Sequence, residues 1–176
     1  VDPIATAAQI YNGLQFIVAR RSELIKSPVV ITVGRISGGV RENIIPEEMM
    51  MAGTIRVLDE QMQNQVHEQI KQTAEKIAES MGATAEVTIE RKTPVTYNTP
   101  ELVRRMLPSL EKAAGRENVI ESTWVTGAED FAFYRAKAPA FFFYVGGMPA
   151  GKDPKDAAPH HTPDFFIDDS RLDVGV

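Results

Sequence analysis

Two of the three histidines in this chain stand side by side, in the run His160-His161-Thr162-Pro163-Asp164-Phe165. The run follows the longest apolar stretch, residues 138–145. Loops at the ends of buried strands are where open α/β sheets place their sites. Imidazole is a common zinc ligand, usually steadied by a hydrogen-bond acceptor behind it. A histidine pair on an exposed loop needs no such role, and on these residues alone both readings stand. The third histidine, His67, falls in a helical pattern and is expected to face solvent.

Two further clusters carry polar groups at telling places. Thr126-Gly127-Ala128-Glu129-Asp130-Phe131 sets paired carboxylates after a glycine, where a loop gives way to a helix. Acids favour a helix N-terminus, so this is either ordinary helix-start chemistry or a carboxylate held near a metal or substrate. Gly38-Gly39, Asn43-Ile44-Ile45-Pro46 and Gly53-Thr54-Ile55-Arg56 form the other cluster. The glycines suit a turn. Arg56 lies among apolar and small residues, where its guanidinium could grip a carboxylate bidentately, with Asn43 adding directional hydrogen bonds. An arginine on an exposed strand face is the competing reading.

Other chemistries are poorly served. The 176 residues contain no cysteine, which removes disulfides, thiolate zinc sites and cysteine nucleophiles. There is no Gly-x-Ser-x-Gly elbow and no phosphate-cradling glycine loop. Net charge is −5 with the signs interleaved, so the basic stripe of a nucleic-acid binder is lacking. The longest apolar stretch is far too short to span a membrane. Lack of cysteine fits a reducing, cytoplasmic setting. The opening Val1-Asp2-Pro3, with no Met and a helix starting at once, reads as a segment of a longer protein.

The elements that position these clusters follow from periodicity. Asp2 caps and Pro3 starts a helix to about Arg21, with Ile4, Ala7, Ala8, Tyr11, Leu14 and Val18 as its apolar face. The β-branched run 29–33 is a strand, and residues 49–57 a second. Asp59 caps a helix whose stripe is Val66, Ile70, Ala74, Ile77 and Met81, stopped by Gly82. Alternation over 83–90 predicts a third strand. Helix, strand, strand, helix, strand is a split β-α-β order without its first strand. After a proline-marked junction at 93–100, a helix over 100–114 is expected to bury Leu102, Met106, Leu110 and Ala113, with Pro108 kinking or splitting it. A short strand at Val119-Ile120, a short helix over 131–136, a doubly covered strand over 140–145 and a final helix from Asp168 complete the expectation.

In order and spacing, these clusters resemble one family: the metal-dependent amidohydrolases that include aminoacylases, hippurate hydrolases, indole-acetyl-amino-acid hydrolases and carboxypeptidase G. Gly38-Gly39 with Asn43-Ile44-Ile45-Pro46 and Gly53-Thr54-Ile55-Arg56 is similar to their lid-domain signature, and residues 1–8 to the start of its first helix. Gly127-Ala128-Glu129-Asp130-Phe131 resembles their substrate-proximal loop. His161-Thr162-Pro163-Asp164-Phe165 resembles the loop bearing their last metal ligand.

The resemblance implies an α+β chain. Residues 1–97 would be a ferredoxin-like α/β sandwich, the lid and dimerisation domain with its first strand missing, and 98–176 the C-terminal α/β part of a metallopeptidase-like catalytic domain. It implies hydrolysis of the amide bond of N-acyl amino acids or similar peptide-like substrates, assisted by two divalent ions, zinc or manganese, and a glutamate base. His161 then corresponds to a metal ligand, Asn43 and Arg56 to residues that bind the substrate carboxylate, and Glu129 to the substrate loop. The other ligands and the base belong to an upstream segment absent from this sequence. No catalytic residue is therefore expected here, and the chain alone is expected to bind no metal and to be inactive. A homodimer through the lid is implied. The alternative is a noncatalytic ferredoxin-like binding or oligomerisation module, which would have no need of the His161 loop.

Overall fold

The structure, a computed structural model, describes residues 1–149 and 151–175. Asp2 has an extended backbone, and its carboxylate accepts from the N–H groups of Ile4 at 2.9 Å and Ala5 at 3.2 Å. Pro3 needs no hydrogen bond in a first turn, so α1 starts there and runs Pro3–Arg21. Its buried face is Thr6, Ala7, Ile10, Leu14 and Ile17. That face is turned by about one residue from the expected one. The turn buries the fully aliphatic Ile10 and Ile17 and leaves Ile4, Ala8 and Tyr11 exposed, which keeps a phenol in water.

Strands β1 (Val29–Ser37) and β2 (Met50–Val57) form an antiparallel hairpin in which Val29 faces Val57, Ile31 faces Ile55 and Val30 faces Arg56. The register slips between Val33 and Arg35. Gly53 sits opposite that irregularity because a Cβ there would strike the Thr32 carbonyl and lie 3.1 Å from Val33 Cα. Helix α2 (Glu60–Ser80) is capped by Asp59, whose carboxylate accepts from Met62 N–H at 2.7 Å. It ends at Gly82, φ 72°, with Ala83 N–H bonded to the Ala78 carbonyl at 2.9 Å and Gly82 N–H to Glu79 at 3.0 Å. That pair of bonds is a Schellman cap, and the left-handed φ explains the glycine.

The chain divides into two compact units. The first is Val1–Thr96 with Val125–Phe133, and the second is Tyr97–Trp124 with Tyr134–Val176. In the first unit α1 and α2 pack side by side, α1 on β1 and α2 on β2. Ile10, Leu14, Ile17, Val29, Ile31, Val57, Met62, Val66, Ile70, Ala74 and Ala78 make one core. Burying each large aliphatic contributes about 1.5–3 kcal/mol, before chain entropy is subtracted. Residues 83–90 form no hydrogen-bonded strand, contrary to their alternation. Ala83, Ala85, Val87 and Ile89 still pack on the core, so the pattern marks an extended segment lacking a ladder partner.

In the second unit, α3 (Pro100–Ala114) passes through Pro108 without splitting. None of its residues is buried: Leu102 and Leu110 are half-buried, Met106 and Ala113 exposed. Val119-Ile120 is not a strand, and Ile120 is 82% exposed. The expected strand over 140–145 is an extended run instead, held by Asn98, which bonds both the N–H (2.7 Å) and the carbonyl (2.9 Å) of Phe142. Its rings pair two residues apart, Phe141 with Phe143 and Phe142 with Tyr144. It is not covered on both sides: Phe143, Tyr144 and Val145 are exposed. The short helices over Arg116–Asn118, Pro154–Asp156 and Asp169–Gly175 are 3₁₀ turns, as is Asp130–Ala136 in the stretch that belongs partly to each unit.

Candidate functional site

The β1–β2 connection is built to leave the sheet sharply. A Cβ on Gly38 would lie 2.8 Å from the Glu48 carbonyl oxygen, so the two arms of the loop approach as only glycine allows. Gly39 follows in the left-handed region at φ 81°. A turn closed by Ile44 N–H on the Arg41 carbonyl at 3.2 Å presents Arg41, Glu42 and Asn43 in sequence. Together with Ile4 and residues 38–45, these line an open cleft of about 530 Å³. Sequence reasoning singled out Asn43. Arg41 and Glu42 stand beside it on the same turn, so three consecutive polar residues face the cleft.

Arg56 lies on the outward face of β2, between the inward Ile55 and Val57. Its Nη1 donates to the Thr126 carbonyl at 2.6 Å across 70 residues of sequence. The structure thus brings Arg56 to the start of the Gly127-Ala128-Glu129 loop, a contact no local pattern could reveal. Glu129 is half-buried, and its carbonyl accepts from Ala132 N–H at 3.0 Å as the 3₁₀ turn begins. Asp130 is exposed.

His161 belongs to the second unit. It is exposed, and at φ 64° it is the one non-glycine residue in the left-handed region among the described residues. Thr162 fixes the loop by donating its hydroxyl to the Pro159 carbonyl at 2.7 Å, and Phe165 N–H closes on the Thr162 carbonyl at 3.1 Å. The His160 ring meets Phe165 edge-on at 4.7 Å, which turns it to packing, while the two imidazoles stand 6.5 Å apart. Among the described residues no three His, Asp or Glu side chains converge as a metal would require. His161 is therefore a single donor here, and a catalytic metal needs about three protein ligands.

His67 is half-buried on α2 and not simply solvent-facing. Burial first, and the Arg91 guanidinium second, hold its pKa below the usual histidine value. Arg91 itself bonds the Asn64 side chain. Among the described residues no helix is long and apolar enough to cross a membrane.

A profile described as peptidase family M20/M25/M40 matches residues 12–176. The chain belongs to that family. It is 34% identical over its whole length to thermostable carboxypeptidase 2 of Saccharolobus solfataricus, covering 44% of that protein. It is 32% identical to N-acetylcysteine deacetylase of Bacillus subtilis, over 99% of this chain and 43% of the relative. Among solved structures it matches a Bacillus subtilis protein, YXEP, described as a dinuclear metal binding peptidase of the M20 family. That match has a TM-score of 0.73 and 31% identity, over 99% of this chain and 43% of the other. The chain thus spans less than half the length of the relatives it matches. Its mixed helices and strands fit the α+β fold of that family.

Proposed function

We propose that this chain is the C-terminal portion of an amidohydrolase that cleaves the amide bond of N-acyl amino acids or similar peptide-like substrates. A carboxypeptidase and an N-acetylcysteine deacetylase, as their names stand, both cut an amide beside an amino acid that keeps its carboxylate. A cationic clamp is what such a product end requires. The observation that carries the reading is Arg56, which reaches the Thr126 carbonyl beside Glu129 with only one of its donors in that bond. In this reading Arg56 and Asn43 bind the substrate carboxylate, Glu129 lines the substrate loop, and His161 is one ligand to a pair of divalent ions, zinc or manganese. Such ions, when bound, supply Lewis acidity toward the amide carbonyl. The remaining ligands and the general base come from outside these residues, so the 176-residue chain is inactive alone.

Residues 1–97 are read as the lid and dimerisation portion, and 98–176 as part of the catalytic portion. The edge of β1 that pairs with no other strand among the described residues, and exposed Tyr11 and Phe16 on α1, favour a homodimer through the lid. A monomeric mass for the full-length protein in light scattering would remove that element. The cysteine-free composition supports a cytoplasmic setting. A noncatalytic module is disfavoured because the family match runs through the His161 loop to residue 176.

The test uses the full-length enzyme. Arg56→Ala is expected to lower kcat/KM by about ten- to hundredfold on substrates with a free carboxylate, and far less on their amides. Equal losses on both would make Arg56 a positioning residue for the 126–129 loop. His161→Ala is expected to remove most activity and to reduce bound metal, with His160→Ala milder on both counts. Metal content and turnover unchanged by His161→Ala would refute the ligand assignment.

A further inference from the structure

Strand β2 opens with Met50, and an irregularity in the hairpin brings a cation to it. Val33 faces Gly53 in the register, but Ala52 faces Arg35, so Gly34 is an extra residue on β1. Without it Gly34 would face Ala52, and Arg35 would face Met51, which packs on the core. A bulge re-aims the side chains that follow it. Here it turns Arg35 to the face away from the core, the face that alternation along β2 gives to Met50, Ala52, Thr54 and Arg56. Arg35 Nη2 then donates to Met50 Sδ at 3.7 Å.

A thioether is a weak acceptor, and among the described residues no carboxylate pairs with Arg35. The guanidinium is thus held beside an atom that can scarcely use it. Met50 is also the most accessible of the seven methionines. It is 56% exposed, against 37% for Met81 and Met106, while Met49, Met51 and Met148 are half-buried and Met62 is buried. Its place matters as much as its exposure. Met50 pairs with Ser37, and those two residues close the loop 38–49 that carries Asn43. The two arms stay close beyond them, since Gly38 leaves no room for a Cβ beside Met49 and the Glu48 carbonyl.

We propose that Met50 is a site of reversible oxidation by hydrogen peroxide, and that Arg35 converts the oxidation into a lock on the loop 38–49. A sulfur lone pair attacks one peroxide oxygen and the O–O bond breaks. The proton on the transferred oxygen passes to the departing one, which leaves as water. Sulfur is oxidised by two electrons and the peroxide is reduced. The sulfoxide oxygen is a far better acceptor than the thioether, and the Arg35 guanidinium already stands beside it to donate a charge-assisted bond. That bond ties β1 to β2 at the mouth of the loop and slows its opening. A thiol-dependent sulfoxide reductase returns the thioether and releases the lock. The inference concerns the hairpin alone and does not depend on the hydrolase reading.

The test is graded exposure of the full-length protein to hydrogen peroxide, read by peptide mass and by hydrogen exchange. Met50 is expected to gain its oxygen several times faster than Met81 or Met106, since susceptibility follows exposure. Exchange across 37–50 is then expected to slow by about three- to tenfold, as a charge-assisted bond would make it, and to recover after treatment with a methionine sulfoxide reductase. Arg35→Gln, shorter and uncharged, should leave Met50 oxidisable but remove the slowing, and Met50→Leu should show neither effect. Met50→Gln places a carbonyl acceptor near the same point and is expected to slow exchange without peroxide. If Arg35→Gln loosens the unoxidised hairpin, Arg35→Lys is the second variant, expected to keep part of the slowing. Earlier oxidation of Met81 or Met106 would overturn the proposal. So would exchange across 37–50 that stays the same or quickens once Met50 is oxidised, or a slowing that survives Arg35→Gln.

Discussion

The two units of this chain differ in how far they close a core from their own residues. The first collects Ile17 and Ala78 at 0% exposure and Val66 at 1%, with both helices and both strands contributing. In the second, Ala140 is the sole hydrophobic residue that counts as buried among those described, while Ile120, Trp124 and Phe166 are mostly exposed. Local structure forms in both, since α3 and the Asn98–Phe142 bonds need only near neighbours or one polar clamp. Burial is a different matter, because it requires a second layer. The lesson is that helical periodicity reports which face would be buried, and only packing reports whether it is.

The sharpest way to break this contrast is to cut equivalent side chains in the two units. Ile17→Ala is expected to destabilise the first unit by about 2–5 kcal/mol, as deletion from a packed core does. Ile120→Ala is expected to change stability by no more than about 0.5 kcal/mol. Denaturant midpoints measure both, and similar costs would mean that the second unit has a core after all. Next in size is the cap: Asp59→Ala strands the Met62 N–H and should cost about 1 kcal/mol, read in the same titration. A loss confined to the first unit in hydrogen exchange would sharpen the division between units.

The smallest effect is a pH slope. His67 has its folded pKa lowered from 6.5 by burial and Arg91, so above that value neither state is protonated and the group contributes no slope. As pH falls below 6.5 the unfolded chain takes up the proton first, and stability declines until the folded pKa is passed. His67→Gln should flatten that decline. An unchanged slope would return His67 to an ordinary exposed residue.

Sequence pattern conveyed what is local. Asp2 with Pro3, Asp59, and Gly82 each mark a helix end through residues within a turn, and all three act as the pattern predicts. The stripe of α2 was legible at Val66, Ile70 and Ala74, which repeat at helical spacing, but Ile77 is only half-buried and Met81 is exposed at the C-cap because Ala78 takes the buried position there. By contrast, α1 carries apolar residues around enough of its surface to blur which face wins. Residues 83–90 display their extended period but not their pairing, since a ladder partner is non-local. The candidate site divides the same way. The glycine-bounded loop that carries Asn43 is visible in the sequence, whereas the bond from Arg56 to the Thr126 carbonyl crosses 70 residues and is not.

His161 carries a last consequence. Its backbone at φ 64° is disfavoured for a residue with a Cβ by about 1–2 kcal/mol, and glycine would occupy that position without the penalty. Histidine at this point is thus a thermodynamically poorer choice than the simplest residue available. A His161→Gly protein would be expected to gain thermal stability while losing its imidazole. Set beside His161→Ala, which keeps the backbone penalty and also loses the ring, it separates what the loop gives up in stability from what the side chain supplies in chemistry.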